Sequence, residues 1–242
     1  MTQGTGGQRA SRSSKAQAGK RTTRAASDKP YHHGALPQAL LDAAEVVLRR
    51  DGMRGLTLRA ISREAGVSHT AAQHHFGDMS GVLSELAASG HRRLASALSS
   101  AIENVKAMHA GRQAVAHAYV RFAVDNPDLF RLMSRNELLD ATRPALAEAR
   151  RINARALARL HGIDHASARD SDHYGGPDVK QAIGMTSAWA FVHGLASLLI
   201  DGRLNALAAA TEGVRDAADL VSAAIEHVRL VQSTPRDDTK PR

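Results

Sequence analysis

Thr57-Leu-Arg-Ala-Ile-Ser-Arg-Glu-Ala-Gly-Val-Ser-His-Thr-Ala-Ala-Gln-His-His-Phe76 decides how this chain is read. The spacing predicts two short helices meeting at a sharp angle. Leu58, Ile61 and Ala65 fall on one face of the first, at steps of three and four. Gly66 suits the left-handed conformation that ends a helix, and Val67 can plug the core beneath the turn. Ser68 is a good N-cap for the second helix, its hydroxyl meeting one of the orphan amides. Ala71, Ala72 and Phe76 anchor that helix, and His69, Thr70, Gln73 and His74 form its other, polar and weakly charged face. Small buried residues beneath such a face suit insertion into a DNA major groove. The same pattern also fits an ordinary helical hairpin with a solvated face.

A wider run carries a resemblance. Tyr31-His-His-Gly-Ala-Leu, Gly52-Met-Arg-Gly-Leu-Thr-Leu-Arg-Ala-Ile and His75-Phe76-Gly77-Asp78 together resemble the N-terminal domain of a TetR/AcrR-family transcriptional regulator. Two positions depart from the family pattern: Gln73 replaces its usual aromatic in the recognition helix, and Met79 replaces its usual Lys at the start of the fourth helix. The first alters base or backbone contacts and the second removes a phosphate contact; neither disturbs the scaffold. Further on, Trp189-Ala-Phe-Val-His193-Gly194 resembles the Trp-x-x-x-His-Gly signature of one group of TetR-type C-terminal domains (the WHG type). Asn126-Pro-Asp-Leu-Phe-Arg-Leu-Met133 fits that group as well. The resemblance spans about residues 31 to 230.

The chain has 242 residues, enough for one large domain or two small ones, and no cysteine. Disulfides and Cys-based zinc sites are excluded, which fits a reducing cytoplasm. No apolar run is read as long enough for a membrane span, and the first thirty residues lack the apolar stretch of a signal peptide. The formal net charge is +8. Most of the excess lies in residues 1–30, where Arg9, Arg12, Lys15, Lys20, Arg21, Arg24 and Lys29 face Asp28 alone. That segment is rich in Gly, Ser, Thr and Gln without apolar periodicity, and reads as a disordered basic arm. It either tracks phosphates in a salt-dependent way or is a solubilising leader without a specific role.

The fold class expected is all-α. A three-helix helix-turn-helix domain (31–91) is joined by a long helix to a C-terminal bundle (92–231) that dimerises, with a disordered tail over 232–242. The first helix runs from Gly34 to Arg50, with Leu40, Ala44, Val47 and Leu48 as its stripe and Asp51-Gly52 as its stop. Asp78 caps a helix in which Val82, Leu83, Leu86, Leu94, Leu98, Ala101, Ile102 and Val105 recur at helical steps, and His91-Arg92-Arg93 interrupt its polar face. A helix from Arg112 ends before Asn126-Pro127. Another runs from Pro144 through Leu160, with Leu146, Ile152, Ala156, Leu157 and Leu160 inward and Arg150, Arg151, Arg155 and Arg159 outward. Two helices close the chain: Asp178–Asp201, apolar nearly all round and therefore buried on both sides, and Val214–Val231, with the stripe Val214, Ala218, Val221, Ile225 and Val228. Small residues at Gly194, Ala196, Ser197, Ala217, Ala218 and Ala224 let these two approach closely, so two helices from each of two chains make an economical four-helix interface.

The function expected is a sequence-specific DNA-binding regulator: a homodimeric repressor on a palindromic operator, cytoplasmic and nucleoid-associated, away from membranes. The DNA-facing set is Thr57, Arg59, Ser68, His69, Thr70, Ala71, Gln73, His74 and His75. Gln73 can pair with adenine N6 and N7 and Thr70 can touch a thymine methyl, whereas the histidines suit phosphate or mixed contacts. Arg54, Arg59 and Arg63 are further phosphate ligands or simply solvated. The resemblance implies an unidentified small-molecule effector held in the C-terminal bundle, with Tyr119, Phe122, Phe130, Met133, Met185, Trp189 and His193 as candidate pocket residues. Each is also an ordinary core residue by composition. A ligand-independent DNA-binding dimer is the alternative. His161, His165 and His173 with Asp164, Asp170 and Asp172 lie in a polar stretch too loose for a zinc frame, so no metal and no cofactor is expected. Neither a nucleophile elbow, a phosphate-cradling glycine loop nor a metal-binding His pair occurs, which argues against an enzyme.

Overall fold

The computed structural model describes residues 1, 36–103, 105, 108–158 and 178–228, and the regular structure among them is helical throughout. The basic arm, Tyr31 to His33, the candidate metal residues between His161 and His173, Arg159, Leu160 and the segment after Val228 lie outside the described residues. In chain order the elements are α1 (Leu36–Gly55), α2 (Leu58–Ala65), α3 (His69–Phe76), α4 (Met79–Ser100), α5 (Met108–Asp125), α6 (Pro127–Met133), α7 (Pro144–Ala158), α8 (Val179–Ile200), α9 (Asn205–Ala209) and α10 (Ala217–His227), with a single 3₁₀ turn at Asn136–Leu138.

Local chemistry sets the breaks in the N-terminal three-helix head. Gly52 takes φ 65° and ψ −173°, which interrupts α1 just where the Asp-Gly pair predicts a stop. Thr57 caps α2, its hydroxyl oxygen accepting from the Ala60 amide at 3.1 Å. Gly66, at φ 69°, ends α2 in a Schellman turn: the Val67 amide donates to the Ser62 carbonyl at 2.9 Å and the Gly66 amide to that of Arg63 at 3.3 Å. Ser68 accepts from Ala71 to start α3, and Asp78 accepts from the Gly81 amide at 3.0 Å to start α4. Leu40, Ala44, Val47 and Leu48 of α1 bury against Ile61, Ala72 and Phe76, closing the three-helix core.

α4 belongs to both halves of the molecule. It touches α1 and α3 at one end and packs along α5, α6 and above all α7. The expected domain division at residue 91 therefore falls inside an unbroken helix. Gly90 of α4 lets α6 close in, because a β-carbon there would lie 2.6 Å from the Met133 sulfur and 3.2 Å from Leu129 Cγ.

Several expectations need correction. α4 stops at Ser100 rather than Val105, with Ala101–Glu103 forming a turn, and α5 begins at Met108 rather than Arg112. In α7 Ile152 faces outward, 37% exposed, and Asn153 takes the inward place at 7%, because Leu146, Ala149, Asn153 and Ala156 are the residues at helical spacing on the side that meets α4. His91 lies in the seam with α7 and not on a polar face. α8 buries Ala188, Val192 and Ala196 within the chain and leaves much of the rest uncovered, so it is not buried on both sides. By length and composition it could cross a membrane (22 residues, mean hydropathy 1.5), contrary to the sequence reading. It packs on α5 and α10. α10 is shorter than expected, capped by Asp216, and its inward residues are Ala217, Val221 and Ile225; Ala218 and Val228 face out.

The contact at Gly90 makes a direct prediction. Gly90→Val adds bulk where α6 leaves none, so overpacking by about 1–3 kcal/mol should exceed the roughly 0.3–0.5 kcal/mol gained in helix propensity. Urea denaturation should show a lower midpoint; an unchanged or higher one would contradict the close α4–α6 approach.

Candidate DNA interface and its tie to the helical bundle

α3 sets a polar exposed face over a small apolar base. Ala72 and Phe76 are buried beneath it, Ala71 is half-buried, and His69, Thr70, Gln73, His74 and His75 are exposed. The His74 and His75 rings meet edge to face, 5.5 Å between centroids. Among the DNA-facing candidates, Thr57 and Ser68 have their hydroxyl oxygens engaged as helix caps, which leaves each O–H free to donate. Arg59 is exposed, as are Arg54 and Arg63, and none of the three is in an ion pair with a carboxylate among the described residues. Arg50 is committed instead, to Glu64 at 2.8 Å and Asp51 at 3.1 Å. The residues of α3 include no carboxylate, so its exposed face offers neutral donors and acceptors with cations on the neighbouring elements.

Two arginines join this head to the bundle, and neither junction follows from local sequence signals. Arg143, just ahead of α7, donates to the main-chain carbonyl of Phe76 at 2.5 Å. That carbonyl is among the last of α3, one of the groups a helix end leaves without an intrahelical donor. Glu85 at 3.8 Å and Asp140 at 3.7 Å flank the guanidinium. The geometry demands a glycine at the start of α4: a β-carbon on Gly81 would sit 2.0 Å from the Phe76 oxygen and 2.4 Å from Arg143 Nη2. Buried Ser84 adds a second stitch, donating to the Ser80 carbonyl at 2.7 Å and accepting from the Asp140 amide at 2.8 Å. Asp78 and Asp140 are held below the usual carboxylate range, the first chiefly by the Gly81 amide and the second chiefly by the Thr142 hydroxyl.

Arg93 of α4 is the other junction. It donates to Glu45 of α1 at 2.7 Å and to the Asn126 side chain between α5 and α6, with its guanidinium 6.0 Å from the Phe122 ring centroid. Burial raises the Glu45 pKa, but hydrogen bonds from Arg93 and Arg49 outweigh it and leave the carboxyl below its ordinary value.

The pocket candidates do not form one lining. Tyr119, Phe130, Trp189 and His193 come together: the Tyr119 hydroxyl is 3.0 Å from His193 Nδ1, Phe130 stacks on His193 at 5.3 Å, and Trp189 tilts against it at 5.9 Å. Burial pushes the Tyr119 phenol up to about 12 and lowers His193, so both are neutral near pH 7. Trp189 is half exposed and Met185 half-buried, whereas Phe122 sits under Arg93 and Met133 against α4 at Gly90. Among the described residues no group of three or more His, Cys, Asp or Glu is placed to hold a metal ion.

Comparisons with known proteins agree with this architecture. The family described as bacterial regulatory proteins, tetR family, matches residues 40–86, and the tetracyclin repressor-like C-terminal domain matches residues 112–230. A solved protein of unknown function from a Rhodococcus species is 35% identical, with 82% of this chain and 96% of that one covered and a TM-score of 0.63. The TetR family transcriptional regulator PfmR of Thermus thermophilus (15% identity, 77% and 94% covered, TM-score 0.52) shares the fold. So does the transcriptional regulator FadR of Bacillus subtilis, solved with stearoyl-CoA (14%, 78% and 96%, TM-score 0.54). An uncharacterized HTH-type transcriptional regulator of Bacillus subtilis, YobS, is 28% identical over 97 residues, or 40% of this chain; the chain spans about half the length of that curated relative.

The Arg143 junction predicts a local effect. Arg143→Met removes a charge-assisted hydrogen bond of about 1.5–3 kcal/mol from a half-buried carbonyl. Hydrogen exchange should accelerate at the amides of Gly77 to Val82 and stay unchanged in α8. Acceleration spread evenly over the chain would mean that Arg143 contributes only to global stability.

Proposed function

Because the chain belongs to the tetR family of bacterial regulatory proteins, which are DNA-binding transcriptional regulators, we propose that it is a homodimeric repressor released from a palindromic operator by a small ligand. It acts in the cytoplasm on the nucleoid, away from membranes, needs no cofactor and is not an enzyme. Residues 31–91 make up the reader and 92–231 the ligand and dimerisation domain, with α4 common to both; residues 1–30 add a basic arm.

The observation that carries this reading is α3 itself: five exposed polar side chains without a carboxylate, on a helix anchored from behind by Ala72 and Phe76. Each half-site of the palindrome receives one α3. Thr70 and Gln73 read base edges, with His69, His74 and His75 on phosphate or mixed contacts, and Thr57, Arg59 and Ser68 setting the register on the backbone. The second copy docks on α8, where Val179, Ile183 and Trp189 are 79, 62 and 49% exposed in a single chain. Among the described residues, α8's own adjoining backbone aside, nothing lies within 4 Å of where a Gly194 β-carbon would be, so a partner helix can approach closely there. A ligand favouring one tilt of α4 over another shifts DNA affinity by its differential affinity for the two states and no more.

Selection of random duplex DNA on the purified full chain tests the reader, and a palindrome with two short half-sites is expected. Gln73→Ala should then relax preference at one position per half-site by about 1–3 kcal/mol of discrimination. Uniformly weaker binding with unchanged preference would place Gln73 on phosphate instead. The dimer is tested separately by sedimentation velocity. Ile183→Glu should convert a dimeric species to a monomer with its helix content intact; a variant that stays dimeric would move the interface away from α8.

A further inference from the structure

Where α4 meets α7, the sequence pattern and the polar bookkeeping disagree. The inward stripe of α7 is Leu146, Ala149, Asn153 and Ala156, and Asn153 is its one polar member. Opposite, on α4, His91 falls between Ala87 and Leu94 in a run of buried residues. The two side chains meet, with Asn153 Nδ2 3.3 Å from His91 Nδ1. That single contact leaves His91 Nε2 and Asn153 Oδ1 buried without a hydrogen-bond partner among the described residues. Such groups are costly, because buried polar atoms in folded proteins are nearly always paired.

The chemistry of the orphaned pair is the same however the protons are placed. If Asn153 donates to Nδ1, the imidazole carries its proton on Nε2, leaving a donor on His91 and an acceptor on Asn153. If the amide is turned round, Nδ1–H donates to its oxygen, leaving an acceptor on His91 and a donor on Asn153. Either way the pair keeps one unused donor and one unused acceptor for a group that reaches it. We propose that the His91–Asn153 pair is the binding site for the head of the effector, and that this head is an uncharged group able to donate and accept together, an alcohol or a carboxamide.

Charge selects in the same direction. Burial, with the Arg150 charge added, pulls His91 down to about 4, so the imidazole is neutral under ordinary conditions. Arg150 disfavours a cationic head; it would attract a carboxylate, but a carboxylate has no proton to give the pair's acceptor and loses its water on burial there. Position supplies the consequence. α7 begins directly after Arg143, which holds the Phe76 carbonyl, and α4 begins directly after Asp78, which caps it. A head entering between His91 and Asn153 pries apart the two helices whose leading ends hold α3 in place. The site rests on the effector-responsive reading above and gives it a place and a ligand class.

The test uses the full chain without DNA and four probes of one length: 1-hexanol, hexanamide, hexanoate and hexylamine. Binding is followed by ¹H–¹⁵N spectra of the asparagine side-chain amides and the histidine rings. Hexanol and hexanamide should bind at least tenfold more tightly than the two charged probes and shift the Asn153 and His91 signals. Asn153→Leu, which completes the apolar stripe and should fold at least as well, and independently His91→Leu, should each abolish that preference. Binding indifferent to the head group, preference retained in both variants, or no shift at either side chain up to probe solubility would overturn the site and leave the pair as a helix-register device. Head-selective binding at Asn153 with operator affinity unchanged would support the site and defeat ligand release, so the two failures are distinguishable.

Discussion

An eight-residue helix cannot hold itself in water, and the proposed reading of DNA depends on one of that length. The position of α3 is therefore imposed from outside. Phe76 and Ala72 tie it to the head's core, Ser68 satisfies an amide at its start, and Arg143 reaches from the other half of the molecule to a carbonyl at its end. Whatever moves Arg143 relative to α4 acts directly on the last turn of the reader. Gly81 shows how tightly this is built, since no side chain fits where the guanidinium crosses.

The two arginine junctions differ in kind. Arg93 ties α1 to the α5–α6 corner through side chains that are partly exposed, and such pairs in solvent contribute little net stability. Arg143 satisfies a helix-end carbonyl that has no intrahelical donor, where loss of the partner carries a desolvation cost. Arg93 sets orientation between the halves, and Arg143 couples them. The division suits the proposed regulation, in which the head would stay docked while a small tilt is transmitted.

Local signals were the legible part of the fold. Gly66, Ser68 and Asp78 each act within four residues of their own position, so a reader of sequence finds them where the structure has them. The exposed face of α3 was legible for the same reason. The Arg143–Phe76 tie was not, because its acceptor is a main-chain carbonyl 67 residues away and every residue owns such a carbonyl. His91 reads with its neighbours Arg92 and Arg93 as part of a polar face, and Ile152 reads as inward because periodicity weighs an isoleucine above an asparagine. In both cases the backbone's own spacing, set by Ala87 and Leu94 on α4 and by Ala149 and Ala156 on α7, overrode the chemistry of the single side chain.

That override helps locate where the molecule departs from a plain helical bundle. A leucine at 153 would complete the stripe of α7 and would ordinarily be neutral or favourable there, since matched apolar packing equals or exceeds a buried polar pair. Asparagine with histidine opposite gives up that packing and leaves two atoms without a partner among the described residues. The aromatic group at Tyr119, Phe130 and His193 shows the contrast: the Tyr119 hydroxyl and His193 Nδ1 meet each other at 3.0 Å, and no atom of the group is buried without a partner among the described residues. Local inconsistencies of the first kind concentrate at sites with a task beyond folding. This one lies on the helix that carries the reader and on the helix that follows its latch, which is where a ligand would have to act to be felt at α3.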